Sequence, residues 1–310
     1  MQAAHPVGAG AKNPLAPAAA DLLRAHAVQH RLTRTARVRW VLRRRALGLL
    51  GGGIVGLAIL LGVLAPWLAP ADPLRQDVAH LMEPPSRAHA LGTDELGRDV
   101  LSRLIFGAQV SLEVGIISVG VAVVLGTGLG LLTGYRLGWL DEIAMRVMDA
   151  LYAFPTLILA IALVAALGPN IVDAMIAIAV VSFPRFARLV RSQVLSVRER
   201  DFVQAARVVG AGDGRILVSH ILPNVLGVIA VQGALTMAFA ILTEANLSFL
   251  GLSARPPTPT WGSMLRSGYP LLETAPWLAL APGALITLVV LGFSLLGDGI
   301  RDWLDPRTRR

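Results

Sequence analysis

Six apolar runs separated by polar breaks limit what this chain can fold into more than any other feature. They lie at 46–68, 112–134, 148–167, 171–189, 225–243 and 277–296. A bilayer core about 30 Å thick needs about 20 mostly apolar residues per helical crossing. Inside hydrocarbon a single segment satisfies its backbone only as a helix. The runs therefore predict an all-α, polytopic membrane protein with six transmembrane helices. Composition agrees, since AVILMFWYC residues make up 55% of the 310 residues and charged residues only 15%, against about 25% charged in soluble domains. Trp40, Trp67, Trp139, Trp261, Trp277 and Trp303 all fall at run ends or outside them, as an interfacial aromatic belt requires.

Arginine placement orients the runs. Arg31, Arg34, Arg37, Arg39, Arg43, Arg44 and Arg45 precede the first, and Arg191, Arg198, Arg200, Arg207 and Arg215 fall around the break between the fourth and fifth. By the positive-inside rule both segments are cytoplasmic, as are both termini, while 70–110 and 247–275 face outward. The expected organisation is a basic tail at 1–45, a first transmembrane helix at 46–69 and the extracytoplasmic segment 70–110. A five-helix core at 111–300 follows, with a cytoplasmic loop at 191–223, and a short tail at 301–310 ends the chain. Residues 1–20, rich in Ala, Pro and Gly, are expected to be disordered. Residues 21–45 form either an interfacial helix on anionic lipid or a basic tail that only sets topology. The net charge of +8 points to membrane lipid and not to nucleic acid, because the arginines cluster beside apolar runs.

Several function classes are excluded. The chain has no Cys, and His5, His26, His30, His80, His89 and His220 are scattered outside the runs, so neither a thiolate site nor HExxH is present. The only lysine, Lys12, stands in Gly10-Ala11-Lys12-Asn13, which is not a phosphate-cradling loop. No catalytic, metal-binding or cofactor-binding residue is expected, and any ATP must be used by another subunit. Deep ionisable groups are scarce: Glu113, Asp149 and Asp173 are placed near span starts, and Asp298 in a turn at Gly297-Asp298-Gly299. A stand-alone secondary transporter or channel, the rival class, would need such groups at midplane.

Gly126, Gly130 and Gly134 form two overlapping GxxxG steps in the second run, which allow another helix to approach closely. Between the fourth and fifth runs, Asp201 followed by Gln204 suggests a capping box. Phe202, Ala205, Ala206 and Val209 then recur at helical spacing as one apolar stripe, and Gly210 is placed to end the helix in a left-handed cap. A two-turn helix is marginal alone, so its apolar face needs a partner.

Gln204-Ala205-Ala206, Gly210 and Leu222-Pro223 resemble the EAA motif of permease subunits in binding-protein-dependent ABC importers. Gln204 stands where that motif carries Glu. The segment Leu91-Gly92-Thr93-Asp94-Glu95-Leu96-Gly97-Arg98-Asp99 is similar to the dipeptide, oligopeptide and nickel permeases, in the subunit called the C component. Glu244-Ala245-Asn246-Leu247-Ser248-Phe249-Leu250-Gly251, Pro256-Pro257-Thr258-Pro259-Thr260-Trp261-Gly262 and Leu296-Gly297-Asp298-Gly299 extend that similarity. The resemblance implies half of a translocation pathway for di- or oligopeptides, or for nickel or another small solute, in a bacterial-type plasma membrane. It also implies a second homologous permease, two ATPase subunits and an extracytoplasmic substrate-binding protein. By the same resemblance the short helix is a coupling helix docked on an ATPase, with Asp201, Phe202, Gln204, Ala205, Ala206, Val209, Gly210, Leu222 and Pro223 at the contact.

In the outer segments, Thr93 is expected to cap a helix with Asp94 and Arg98 paired four apart. The proline-stiffened loop around Trp261 offers either a surface for the binding protein or a gate. The topology can be checked by thiol labelling in this Cys-free chain. A single Cys at Ser263 should react with an impermeant reagent from outside, and one at Ser219 should not.

Overall fold

The computed structural model describes residues 46–304, and among them every regular element is helical. The expectations for 1–45 and 305–310, Trp40 and Lys12 included, lie outside the described residues. α1 spans Ala46–Val63 and is followed by one turn of helix, α2, at Ala65–Leu68. A turn-rich segment then leads to α3, Val100–Arg136, whose 37 residues extend about 55 Å.

Asp99, not Thr93, caps α3. Its Oδ2 accepts from the Ser102 N–H at 2.8 Å and the Ser102 hydroxyl at 2.7 Å. Thr93 is instead the buried hub of the preceding turns: its N–H donates to the Glu83 carbonyl, and its hydroxyl oxygen accepts from the Glu83 N–H at 2.9 Å. The expected ion pair forms, with Arg98 Nε 2.7 Å from Asp94 Oδ2 and Arg103 adding a second contact at 3.4 Å.

The third apolar run, expected as one transmembrane helix at 148–167, is not one continuous helix. It is split between α4, Trp139–Tyr152, and α5, Thr156–Leu167, which meet at 95°. Pro155 lacks an N–H and pushes Phe154 out of the helical region, so the helix stops there. α6, Ile171–Val197, begins under the Asn170 cap and keeps Pro184 in its interior. α7 covers Asp201–Val208 and α8 Asp213–Arg215. A π-helical turn at Ile216–Ile221 then runs without a break into α9, Leu222–Phe249. α10, Trp261–Gly268, is followed by a single 3₁₀ turn and then α11, Trp277–Leu304.

Four of these helices are long and apolar enough to cross a membrane, namely α1, α3, the helix Asp213–Phe249 and α11; the bent α4–α5 pair would make a fifth. α6 has the length for a sixth, at 27 residues, but carries Asp173, Arg185, Arg188 and Arg191.

Glycine sets the helix contacts. A Cβ on Gly126 would lie 2.5 Å from Phe186 Cβ, one on Gly130 2.6 Å from the Ala187 carbonyl oxygen, and one on Gly134 2.8 Å from Val194 Cβ. The GxxxG face of α3 is thus laid directly on α6. A second close approach joins α1 to α11, where a Cβ on Gly48 would meet Gly299 Cα at 2.7 Å. Gly297-Asp298-Gly299, expected as a turn, stays helical inside α11 for this reason: its glycines admit α1 on one side and Leu235 of α9 on the other.

The loop near Trp261 also differs from expectation. Trp261 is fully buried and presents no aromatic outward; its Nε1 donates to the Leu104 carbonyl at 3.1 Å and its ring lies against Gly107. Ser263 closes a capping box with Thr260, so the exposed Thr258 is the better outward labelling position.

Gly130→Ala should destabilise the protein by about 1–3 kcal/mol, as overpacking does. Gly128→Ala, whose Cβ would meet nothing within 4 Å, should be neutral or gain up to about 1 kcal/mol in helix propensity. Thermal unfolding of the two variants in detergent measures the contrast.

Candidate functional site

The loop between α6 and α9 is fastened to the end of α3. Arg198, at the C-terminus of α6, donates from Nη1 to the carbonyls of Gly134 and Tyr135, each at 3.3 Å. A cation placed on the last carbonyls of a helix is favoured by the dipole. The Tyr135 hydroxyl donates to Asp213 Oδ1 at 2.9 Å, and Arg207 stacks 5.2 Å over the Tyr135 ring. Both ends of the loop therefore converge on one residue of α3.

α7 starts one residue earlier than a capping box at Asp201 requires. Arg200 is its N-cap and makes no side-chain cap bond, so Asp201 is the first helical residue and is exposed. Gln204 does reach back, but Nε2 donates to the Arg198 carbonyl at 3.1 Å, not to a cap backbone group. The C-terminus is a Schellman motif. Gly210 has φ +84°, its N–H donates to the Arg207 carbonyl, and the Ala211 N–H donates to the Ala206 carbonyl at 3.0 Å.

The apolar stripe divides. Ala206 turns inward with Val203, a residue absent from the expected set, into a cluster with Val197, Ile216, Ile221 and Val225. Phe202, Ala205 and Val209 stay outside. Phe202 is 39% exposed, Val208 87% and Val209 83%. Spacing alone could have found the inner pair, since Val203 and Ala206 are three apart and flanked by Val197 and Ile216. The helix is anchored on one face and offers an unpartnered apolar face on the other.

Leu222 and Pro223 stand at the junction of the π turn and α9, with Leu222 partly buried and Pro223 exposed. Pro223 has no N–H to continue the ladder. The Leu222 N–H reaches back five residues to the Leu217 carbonyl, and Asn224 Nδ2 donates to the His220 carbonyl at 2.7 Å. These two bonds hold the wide turn in place.

Ionisable groups occur inside the helices after all, against the expected scarcity. Arg191 grips Asp141 of α4 in a two-pronged pair at 2.5 and 2.6 Å, and Arg188 pairs with Asp149. Asp149 is thus in the last turn of α4, not at a span start. Glu113 lies well inside α3 and faces α1, lining a cleft with Ile59 and Gly62. Arg185 lies over the Phe239 ring at 4.5 Å. Glu244 is fully buried near the end of α9, accepting from Ser111 at 3.0 Å with Ser253 at 3.5 Å. Arg185 and Arg188 stand in the sequence within the fourth run, Arg191 two residues beyond it, and Glu244 one residue beyond the fifth. Asp173, expected at a span start, is there, bonded to Asn170. Among the described residues no group of His and carboxylates is arranged to hold a metal ion.

Comparison with known proteins agrees with this architecture. A family model described as binding-protein-dependent transport system inner membrane component matches residues 126–310. A second, the N-terminal TM domain of oligopeptide transport permease C, matches residues 33–85. The chain is 45% identical over 268 residues to the dipeptide transport system permease protein DppC of Alkalihalophilus pseudofirmus, covering 86% of this chain and 88% of that protein. It is 46% identical to the di/tripeptide transport system permease protein DppC of Pseudomonas aeruginosa, covering 84% and 89%. The glutathione transport system permease protein GsiD of Pectobacterium atrosepticum is 45% identical, with 86% and 89% covered.

The two faces of α7 should respond differently to charge. Ala206→Asp puts a carboxylate at a site only 7% exposed with an apolar surround, at a cost on the order of several kcal/mol. Its level in the membrane and its unfolding temperature should both fall, whereas Ala205→Asp should leave both near wild type. Gly210→Ala meets open space and should cost only the left-handed penalty, about 1–2 kcal/mol.

Proposed function

The chain belongs to the binding-protein-dependent transport system inner membrane component family, and from that premise we propose that it forms half of the translocation pathway of a di- or oligopeptide importer. A second, homologous permease supplies the other half. Peptide is favoured over nickel as the cargo because the relatives are described as dipeptide, di/tripeptide and glutathione permeases. An extracytoplasmic binding protein delivers the peptide to the outer side. ATP is used by two separate ATPase subunits, because the family is a transport component and not an ATPase.

The observation that carries the coupling role is the exposed apolar face of α7 on a loop otherwise tied down. Phe202, Ala205, Val208 and Val209 are left outside, while Arg198, Tyr135 and Asp213 hold the loop against α3. A short helix with one anchored and one bare face suits a groove on a partner, and the anchors make it transmit a load to α3 and α6. This face, with Gln204 and Gly210 setting the start and end of the helix, is assigned to the ATPase contact. In this orientation α7 and both termini are cytoplasmic, as the arginine asymmetry requires.

Ala205→Asp introduces an unpaired charge into that contact. Recovery of the ATPases with the purified permease should fall about tenfold or more, and peptide uptake with it, at wild-type membrane level. Gln204→Glu should be nearly silent. Normal ATPase recovery and normal uptake for Ala205→Asp would refute the docking assignment. The isolated chain should show no ATP hydrolysis once contaminating ATPases are excluded.

A further inference from the structure

Of the three arginines inside α6, two are neutralised by α4 and one is not. Arg191 has Asp141 and Arg188 has Asp149. Among the described residues Arg185 has no carboxylate partner; it rests on the face of Phe239, itself 54% exposed. Its depth can be measured along two helices. Arg185 stands 14 residues from the start of α6, about 21 Å along its axis, and Phe239 stands 10 residues from the end of α9, about 15 Å. Those two helix ends lie on the same side, because α6 and α9 are joined through the α7 loop at their other ends. The guanidinium is therefore near the middle of a core about 30 Å thick.

A partly exposed cation at that depth does not face acyl chains; such residues face a bundle interior or a water-filled cavity. Two further observations lie close by. Val181, one turn before Arg185 on α6, lines a cleft of about 360 Å³ with the broken backbone from Leu151 to Thr156. Irregular backbone at membrane depth persists only where protein or water covers it. On α9, Gln232, Thr243 and Asn246 share the face of Phe239 and are only partly buried, so that face carries polar groups that the bundle core does not enclose.

We propose that Arg185, steadied by Phe239, receives the carboxylate of the peptide as it passes through the pathway. The inference rests on the peptide reading above. A guanidinium matches a carboxylate in a planar, two-bonded geometry, and every peptide with a free C-terminus carries one. Phe239 holds the cation when no peptide is present, so binding exchanges one partner for another and leaves the peptide free to move on, as conduction requires. The other occupant with the same chemistry is a carboxylate of the second permease.

The test uses the complete transporter in proteoliposomes with its binding protein. With R185Q, uptake of a free-carboxylate tripeptide should fall about tenfold or more, while recovery of the second permease and binding-protein-stimulated ATP hydrolysis stay within about twofold. Because the chain has no Cys, R185C can be recharged chemically. Aminoethyl methanethiosulfonate, which adds an ammonium, should restore uptake, and the neutral methyl reagent should not. Unchanged uptake by R185Q, or equal rescue by both reagents, overturns the inference. Loss of the second permease from R185Q assigns the arginine to an intersubunit ion pair and overturns it as well. A wild-type assembly that takes up no peptide overturns the peptide reading and this inference together, whereas wild-type uptake with an unaffected R185Q removes this inference alone.

Discussion

Between α3 and α6, three glycines spaced four apart leave bare backbone against Phe186, Ala187 and Val194, closer than any Cβ would permit. In lipid this contact is not driven by apolar surface leaving water, because the surrounding chains are as apolar as leucine. Association depends on van der Waals packing and on polar bonds, and both increase as the backbones approach. With α3 and α6 in this register, the rotation of α6 is determined: Phe186, Ala187, Val190 and Val194 are buried toward α3. Arg188 and Arg191 then come to lie along α4, and Arg185 is left on a different side. The glycine seam and the arginine distribution are one arrangement seen from two faces of the same helix.

The seam also determines where the loop after α6 can go. α6 ends at Val197 beside the end of α3, so Arg198 reaches the carbonyls of Gly134 and Tyr135 directly. Moving α6 away from α3 by the width of one methyl group would lengthen those bonds, which at 3.3 Å have little to spare. Helix packing inside the bilayer and the placement of α7 outside it are therefore linked through a single residue. The opposite end of the bundle is tied in a comparable way, by Glu244 to Ser111 of α3 and by Trp261 to the Leu104 carbonyl.

The apolar runs are legible in the sequence because membrane thickness imposes a length that composition cannot hide, and the GxxxG steps are legible because glycine has no other use at that spacing. What is hidden depends on direction. Helical spacing groups Phe202, Ala205, Ala206 and Val209, which span a wide arc, but only the fold decides where along that arc the boundary between core and outside falls. It falls between Ala205 and Ala206. Thr93 and Asp99 are both good caps by residue type, and the choice between them was made by turns running from Asp77 to Arg98 that have no periodic pattern. Trp261 reads as interfacial because it follows prolines in an outer loop, yet the missing side chain of Gly107, more than 150 residues earlier in the chain, makes the space that buries it. Arg185 and Arg188 are hidden in the sequence because an apolar average over the fourth run conceals two charges, and charge, unlike hydropathy, does not average in hydrocarbon.

The broken third run follows from the same rule. α5 has 12 residues and extends about 18 Å, too short for a core of about 30 Å, so the crossing is completed only if α4 contributes at an angle. α4 is suited to that because its two sides are different. Asp141 and Asp149 meet the arginines of α6, and on the opposite face Val147 and Leu151 line a cavity against α3 and α6 that is almost entirely apolar. A helix with carboxylates on one side and aliphatic residues on the other cannot run straight through lipid, and it cannot leave the membrane without abandoning Arg188 and Arg191 as unpaired charges. The bend at Ala153–Pro155 reconciles the two demands, and it places a break in the helix beside Val181 of α6, one turn before Arg185. That region holds both a cation without a carboxylate among the described residues and a break in the helical backbone, and neither is tolerated against acyl chains. Water or another polar chain must therefore cover it in the assembled membrane protein.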